Sequence, residues 1–437
     1  MMSSVRGDEA GVGADMGVSE DNTVTDIVVV GAGAAGLFAA IAAATAVPGV
    51  RVVCLDGAKS VGAKILVSGG SRCNVTNTEV TDRDFQGGPS RVVRHVLRAF
   101  PASRTADWFR VAGVALHEEE GGKLFPDTHR SRTVLEALLG ACKGAGIEIR
   151  TGHRVTEVHP SGAGFRIVTS AGEVDARTVL LATGGKSLPK SGSDGFGYAL
   201  ARALGHSLVP PTPALVPLVI VNSPFAAFSG VSHPAALTVR DGGDRHVVAG
   251  SLLWTHTGVS GPAALDASRH WHRAVEEGRR PDVLLSALPG LTFEGLEQLL
   301  IEAVRVHPRG TLRSELAGML PSAVLEGLLR HAGADPVVPL SQLSREHRRA
   351  AIRGLLEVPL TVTDSRGYQH AEVTAGGVPL EEMVPATMES RRCPGLYLAG
   401  EILDVDGRLG GFNFQWAWSS GWVAGTAMAR RLSESRV

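Results

Sequence analysis

The sequence predicts an α/β protein: a parallel-sheet domain assembled from the two ends of the chain, with a β-rich and then helical domain inserted between them. Three observations predict it. Residues 27–56 read as strand, glycine-rich turn, helix and strand. A strand-like segment returns near the far end, at Leu396–Ala399, and a long helix from about Phe414 to Arg431 closes the chain. The stretch between has a different pattern, short strands followed by four helical segments.

The chain has 437 residues, enough for two or three domains. Residues 1–23 are polar, glycine-rich and aperiodic, and are expected to be a disordered tail. Ile27–Val30 is a buried strand, Ala34–Ala46 a helix of small residues, and Arg51–Asp56 a second strand. Gly57–Asp82 is expected to be rich in loops, with helices after it at Arg91–Phe100, Arg104–Ala112 and Thr133–Lys143. Short strands follow at Ile147–Thr151, Arg154–His159, Gly164–Thr169 and Arg177–Thr183. In the middle region, strands are expected at Ala236–Val239, His246–Val248 and Leu252–Thr255. Helices are expected there at Phe293–Val306, Leu312–Met319, Ala323–His331 and Arg345–Leu355. Glu372–Thr374 then returns to strand. The expected boundaries are 24–190 and 356–437 for the two halves of the first domain and 191–355 for the insertion.

Composition excludes several classes. Lys and Arg (43) nearly balance Asp and Glu (44), which argues against nucleic acid or an anionic membrane as the main partner. Residues 27–50 carry no charge, but they are rich in Gly and Ala and follow acidic residues, so they read as a buried strand–turn–helix rather than a span or signal peptide. The four cysteines, Cys54, Cys73, Cys142 and Cys393, show no C-x-x-C spacing and read as packed free thiols. A cytoplasmic location is expected, with no metal site and an undetermined oligomeric state.

Gly31-x-Gly33-x-x-Gly36 follows the first strand and opens the helix. Gly31 permits the tight turn, Gly33 lets a pyrophosphate approach the backbone, and Gly36 lets helix and strand pack closely. Ala34 and Ala35 lie in the first helical turn, whose free N–H groups suit phosphates. Asp56 ends the second strand twenty positions past Gly36, where a carboxylate meets ribose hydroxyls and disfavours a 2′-phosphate. The first domain is therefore Rossmann-like. FAD is longer than NAD and needs a second contact point. Thr183-Gly184 and Gly400-Glu401 end strands, and Gly410-Gly411-Phe412-Asn413 leads into the last helix, whose N-terminus suits the flavin edge that gathers charge on reduction. Together these clusters favour FAD.

The segment Gly62-Ala63-Lys64-Ile65-Leu66-Val67-Ser68-Gly69-Gly70-Ser71-Arg72-Cys73-Asn74-Val75-Thr76-Asn77 resembles the signature loop of the bacterial YhiN/BaiN/aminoacetone oxidase-like flavoproteins. Residues 187–198, 255–262, 373–378 and 387–390 match further family motifs, and 400–425 matches almost throughout. The family pattern reads Arg where this chain has Ala63 and Gly where it has Ser71. The resemblance implies a discontinuous FAD domain with an insertion, and an NAD(P)H- and FAD-dependent oxidoreductase. Lys64, Gly70, Arg72 and Asn74 would approach phosphates or flavin, or form a solvated Lys and a structural Arg–Asn pair. Val155 completes the expected cofactor-binding set.

No second GxGxxG unit is visible, so NAD(P)H would dock transiently against the flavin. His256 is the candidate proton donor, the alternative being a structural histidine. His270-x-His272 reads as the exposed flank of a helix, Glu118–Glu120 as a solvated charge run, and Trp416, Trp418 and Trp422 as packing anchors. The expected reaction passes hydride from NAD(P)H through the flavin to a small organic acceptor. The alternatives are an amine oxidase using oxygen and an RNA-related flavin-binding protein.

Overall fold

The computed structural model describes residues 24–162 and 164–434, so the expected 1–23 tail lies outside the described residues. The strand Thr25–Val30 is buried at every position and forms the middle of a nine-stranded sheet. It pairs in parallel with Val52–Leu55 on one side and with Gly172–Leu181 on the other; Val29 is opposite both Cys54 and Leu180. Glu148–Arg150 and Leu396–Leu398 extend the parallel sheet at either side. Strands from positions 25 and 396 thus belong to one sheet, which makes this domain discontinuous. Strands buried on both faces need continuous apolar runs, and the sequence Thr-Asp-Ile-Val-Val-Val supplies one.

The first helix, Ala34–Ala46, packs along the last, Phe412–Glu434. Small residues set their separation. A Cβ on Gly425 would lie 2.0 Å from the Ala39 carbonyl oxygen, and one on Gly421 would lie 2.6 Å from that of Ala35. Beside this contact Phe38 packs edge-on against Phe100 and Trp108 and tilts against Trp418. Trp416 and Trp418 are buried, and their indole N–H groups donate to Gly400 O (3.2 Å) and Val75 O (2.9 Å). They are packing anchors, with Trp422 stacked on Phe100 at their edge.

A second, seven-stranded sheet uses strands from Leu218–Val219 to Asp364–Ser365. Its centre is the hairpin of Ser232–Asp241 and Asp244–Thr255. The sequence suggests two short strands at 246–255, but the backbone ladder runs through the alternately exposed residues 246–251 without a break. The helices Phe293–Val306, Ser322–His331 and Arg345–Leu356 pack with this sheet around a separate core. The helix Phe196–Ala203 contributes Tyr198, Leu200 and Ala201 to the larger core.

Three other elements differ from the sequence reading. The loop-rich stretch contains a helix at Ala63–Ser71, broken by non-helical backbone at Ser68, Gly69 and Gly70. A hairpin of Leu116–Glu119 and Lys123–Pro126 lies between expected helices. Gly261–Glu276 is a 16-residue helix. Its Ala- and Gly-rich start hid the amphipathic signal that marks the later helices. Among the described residues no helix is long and apolar enough to cross a membrane.

Candidate functional site

A cavity of about 1100 Å³ runs along the carboxyl ends of the parallel strands and reaches residues at the base of the inserted domain. Ligands of open α/β sheets bind at this edge. Of the expected cofactor-binding set, Gly31, Gly33, Ala34, Ala35, Asp56, Lys64, Gly70, Arg72, Asn74, Val155, Thr183, Gly184, Gly400, Glu401, Gly410, Gly411 and Asn413 line it. Gly36 and Phe412 do not.

The fingerprint glycines divide into distinct roles. Gly31 has φ +101°, and a Cβ there would meet Ala182 O at 2.6 Å. A Cβ on Gly36 would lie 1.9 Å from Gly31 O, so Gly36 shapes the turn from behind rather than facing the cavity. Gly33 is the N-cap of the first helix, and no protein atom lies within 4 Å of a Cβ built on it. That is open space in front of free helix N–H groups, as a bound phosphate requires. Asp56 braces the turn: its carboxylate accepts from the N–H groups of Ala32 and Ala58, both at 2.8 Å.

In the signature loop, Gly62, Gly69, Gly70, Ser71 and Cys73 all take left-handed backbone, which folds the segment tightly against the cavity. A Cβ on Gly70 would meet nothing within 4 Å. Arg72 stacks its guanidinium over the Phe125 ring at 4.1 Å and pairs with Glu119 at 2.5 Å. Glu118 and Glu120 are exposed, as a solvated charge run would be, but Glu119 between them is paired, and the Arg72 guanidinium holds its carboxyl below the usual range. Asn74, with its amide oriented by the hydrogen-bond network, donates to Thr76 O (2.8 Å) and accepts from Gly411 N–H (3.0 Å). It ties the signature loop to the start of the last helix, where Asn413 in turn clamps Gly407 through two 2.8 Å bonds.

One polar knot joins four chain segments. Lys64 Nζ donates to the Glu401 carboxylate and to Ser187 Oγ (2.5 Å). Ser187 Oγ and Thr374 N–H also donate to Glu401, at 2.8 and 2.9 Å. Glu401 is thus largely committed to protein groups, and Lys64 is neither solvated nor free. Ser187 and Thr374 were not singled out from the sequence as site residues, although both lie in motifs that carried the resemblance.

The same cavity is also lined by Glu372, Gln369, His370, Arg408, Leu409 and Leu215. Burial raises the Glu372 carboxyl above the usual range, and Lys64 only partly offsets it. Nearby, burial pushes Asp266 up to about 6, while its Oδ1 accepts from Leu409 N–H at 2.7 Å. Arg408 lies over the Phe412 ring and pairs with Asp84. No periodicity or spacing marks these residues, because they come from the insertion and from two loops.

His256 is exposed in the turn between Asp244–Thr255 and Gly258–Ser260, and it does not line the cavity. His270 and His272 are not an exposed flank. His270 stacks on His246 at 4.0 Å, and His272 Nε2 lies 2.7 Å from Ser365 Oγ. Burial pushes their imidazoles down to about 3 and about 4. All four cysteines are buried free thiols, and burial pushes Cys73 up to about 12.

Open space at Gly33 and Gly70, two helix N-termini and a cavity of this volume fit FAD. The comparisons agree. The family model described as "HI0933-like protein Rossmann domain" matches residues 25–427. The chain is 36% identical over 406 residues to the 3-dehydro-bile acid delta(4,6)-reductase of Clostridium scindens, covering 92% of this chain and 98% of that one. It is 35% identical over 401 residues to the ribosomal RNA dihydrouridine synthase of Escherichia coli, covering 91% and 96%. Among solved structures, a mutant of E. coli quinol fumarate reductase FrdA matches with a TM-score of 0.50 and 18% identity, covering 94% of this chain and 71% of that one, which speaks to fold alone. The chain belongs to the HI0933-like family of FAD-dependent Rossmann proteins.

Proposed function

We propose that the protein is an FAD-dependent reductase whose acceptor is a carbon–carbon double bond conjugated with a carbonyl. The observation that carries this reading is the continuous cavity lined both by the Gly33 turn and by Glu372 and Arg408, which gives one site for both cofactor and acceptor. The relatives support the acceptor class. One is named as reducing a bile acid's delta(4,6) bonds and two as making dihydrouridine, and each name describes hydrogen added across an unsaturated, carbonyl-bearing ring. Bound FAD supplies hydride-transfer chemistry.

The chain's own residues bind and orient. The Gly33 turn and the first helix hold the anionic phosphates, while the last helix directs its N-terminal N–H groups and positive end at the cavity. The Lys64–Glu401–Ser187 knot fixes the wall between the two halves of the domain. NADH or NADPH is the proposed reductant, docking transiently from solvent. The buried thiols support the cytoplasmic location expected from cysteine spacing.

Ribosomal RNA is a second reading for the acceptor. Near-zero net charge argues against it, yet two relatives carrying RNA-modifying names match over more than nine-tenths of this chain. The test is anaerobic reduction of the purified flavoprotein with NADH or NADPH, followed by a conjugated enone or a ribosomal RNA transcript. Flavin bleaching and then recovery with either acceptor is the expected result. Recovery with oxygen alone would refute the acceptor class.

A further inference from the structure

We propose that Glu372 is the proton donor to the acceptor, with Asp266 behind it as a positioning residue. This rests on the reductase reading and adds the group that completes its chemistry. Reducing a conjugated double bond needs a hydride at one carbon and a proton at the other. Bound FAD, reduced beforehand by NAD(P)H, would supply the electron pair with its hydrogen and return to its oxidised form. The alkene carbon beside the carbonyl takes the proton, and the donor is reprotonated from water.

His256, the candidate from sequence, does not line the cavity. Glu372 does, and its backbone is hydrogen-bonded. Its N–H donates to Leu215 O (3.2 Å), and its carbonyl lies 3.3 Å from Ser187 Oγ, whose hydrogen goes to the nearer Glu401. Two residues on, Thr374 N–H donates to Glu401, so the strand Val373–Gly377 that follows Glu372 directly is anchored to the polar knot of the cofactor cavity. The carboxyl itself is accessible, yet it makes no hydrogen bond or ion pair among the described residues. Every other acid lining the cavity has a protein partner: Asp56 and Glu401 as above, and Asp194 with Arg154. Glu372 is the cavity carboxyl left for a ligand.

Its surroundings raise its carboxyl above the ordinary value and so favour the protonated form. Asp266, on the helix Gly261–Glu276, faces it with a like charge, and Lys64 opposes from the helix Ala63–Ser71. Arg408, Arg269 and Lys123 act on Asp266, and His370 and Glu401 line the same cavity. Leu215 and Leu409 pack in a small apolar cluster beside it. A carboxyl whose neutral form is favoured by its surroundings can donate a proton.

The experiment uses the holoprotein and two variants, Glu372→Gln and Asp266→Asn. Flavin content and reduction by dithionite should be unchanged in Glu372→Gln. Anaerobic reoxidation of the reduced flavin by 2-cyclohexenone or a ribosomal RNA transcript should slow at least about 100-fold, the ordinary share of a general acid. Its pH dependence should lose the limb that falls as Glu372 ionises. Asp266→Asn should keep that limb and move it to lower pH. An infrared pH titration should show a protonated-carboxyl band that persists above the ordinary carboxylate range and that Glu372→Gln removes. Wild-type rate and pH profile in Glu372→Gln, or no such band, would overturn the assignment while leaving the reductase reading intact. Wild-type flavin that neither acceptor reoxidises would overturn the reductase reading and the donor role with it.

Discussion

Two glycines three positions apart in one turn should fail in opposite ways when given a side chain. A Cβ on Gly36 would lie 1.9 Å from Gly31 O and 3.1 Å from a Val29 methyl. Non-bonded carbons are comfortable at about 3.5–4.0 Å, so helix and strand would have to part by more than about 1 Å. Overpacking of this kind costs about 1–3 kcal/mol or more, against which better helix propensity returns up to about 1 kcal/mol. Gly36→Ala should therefore lower the melting temperature of the apoprotein by several degrees and weaken FAD binding with it. Gly33→Val is different. The residue has φ −86° and ψ −165°, which valine tolerates, and its Cβ would enter open space. Apoprotein stability should change by less than about 1 kcal/mol. FAD affinity should nevertheless fall at least roughly 100-fold, about 2.7 kcal/mol, because the side chain occupies the phosphate position. Thermal melts of apoprotein and visible absorbance after FAD titration and desalting read the two effects separately. Gly33→Val protein that retains wild-type FAD would refute the placement of the phosphates at this turn.

Ser71 holds a left-handed φ of +67° where the resembling family has glycine. Ser71→Gly should raise stability by about 0.5–1 kcal/mol in a thermal melt, since the strain relieved exceeds the added chain entropy; a lower melting temperature would show the serine to be supported. Asp266 titrates near 6 in the fold against an ordinary value near 3.8, so its stabilising contribution is complete below about pH 4 and is lost as pH rises through 6. Asp266→Asn keeps an acceptor for Leu409 N–H and should be more stable than wild type at pH 8, by up to about 3 kcal/mol, and equal to it at pH 4; denaturant melts at the two pH values check this, and an equal difference at both would refute it. The four thiols should react with DTNB only on unfolding, because each is buried and burial raises each pKa; rapid labelling of the native protein would contradict the packing.

The fingerprint was legible from residues alone because its chemistry is local. Gly31, Gly33, Gly36 and Asp56 sit within one strand–turn–helix–strand, and the helix Ala34–Ala46 has the expected bounds. The buried strands could be read from apolar runs, and the thiols from their spacing. The part of the cavity around Glu372 could not be read this way. Glu372, Asp266 and Arg408 are far apart in the chain, and they meet only where the inserted domain rests on the Rossmann domain. Arg72 and Glu401 were legible as cavity residues but not in their pairings, because Glu119 and Lys64 reach them through a hairpin and a kinked helix that the sequence pattern did not reveal. The sequence by itself determined the dinucleotide turn, since that rests on contacts between neighbours in the chain, while the returning strand pattern marked the discontinuous α/β plan and the motifs marked the family. Tertiary structure alone decided which carboxyl was left without a protein partner, because that depends on what the rest of the fold brings against it.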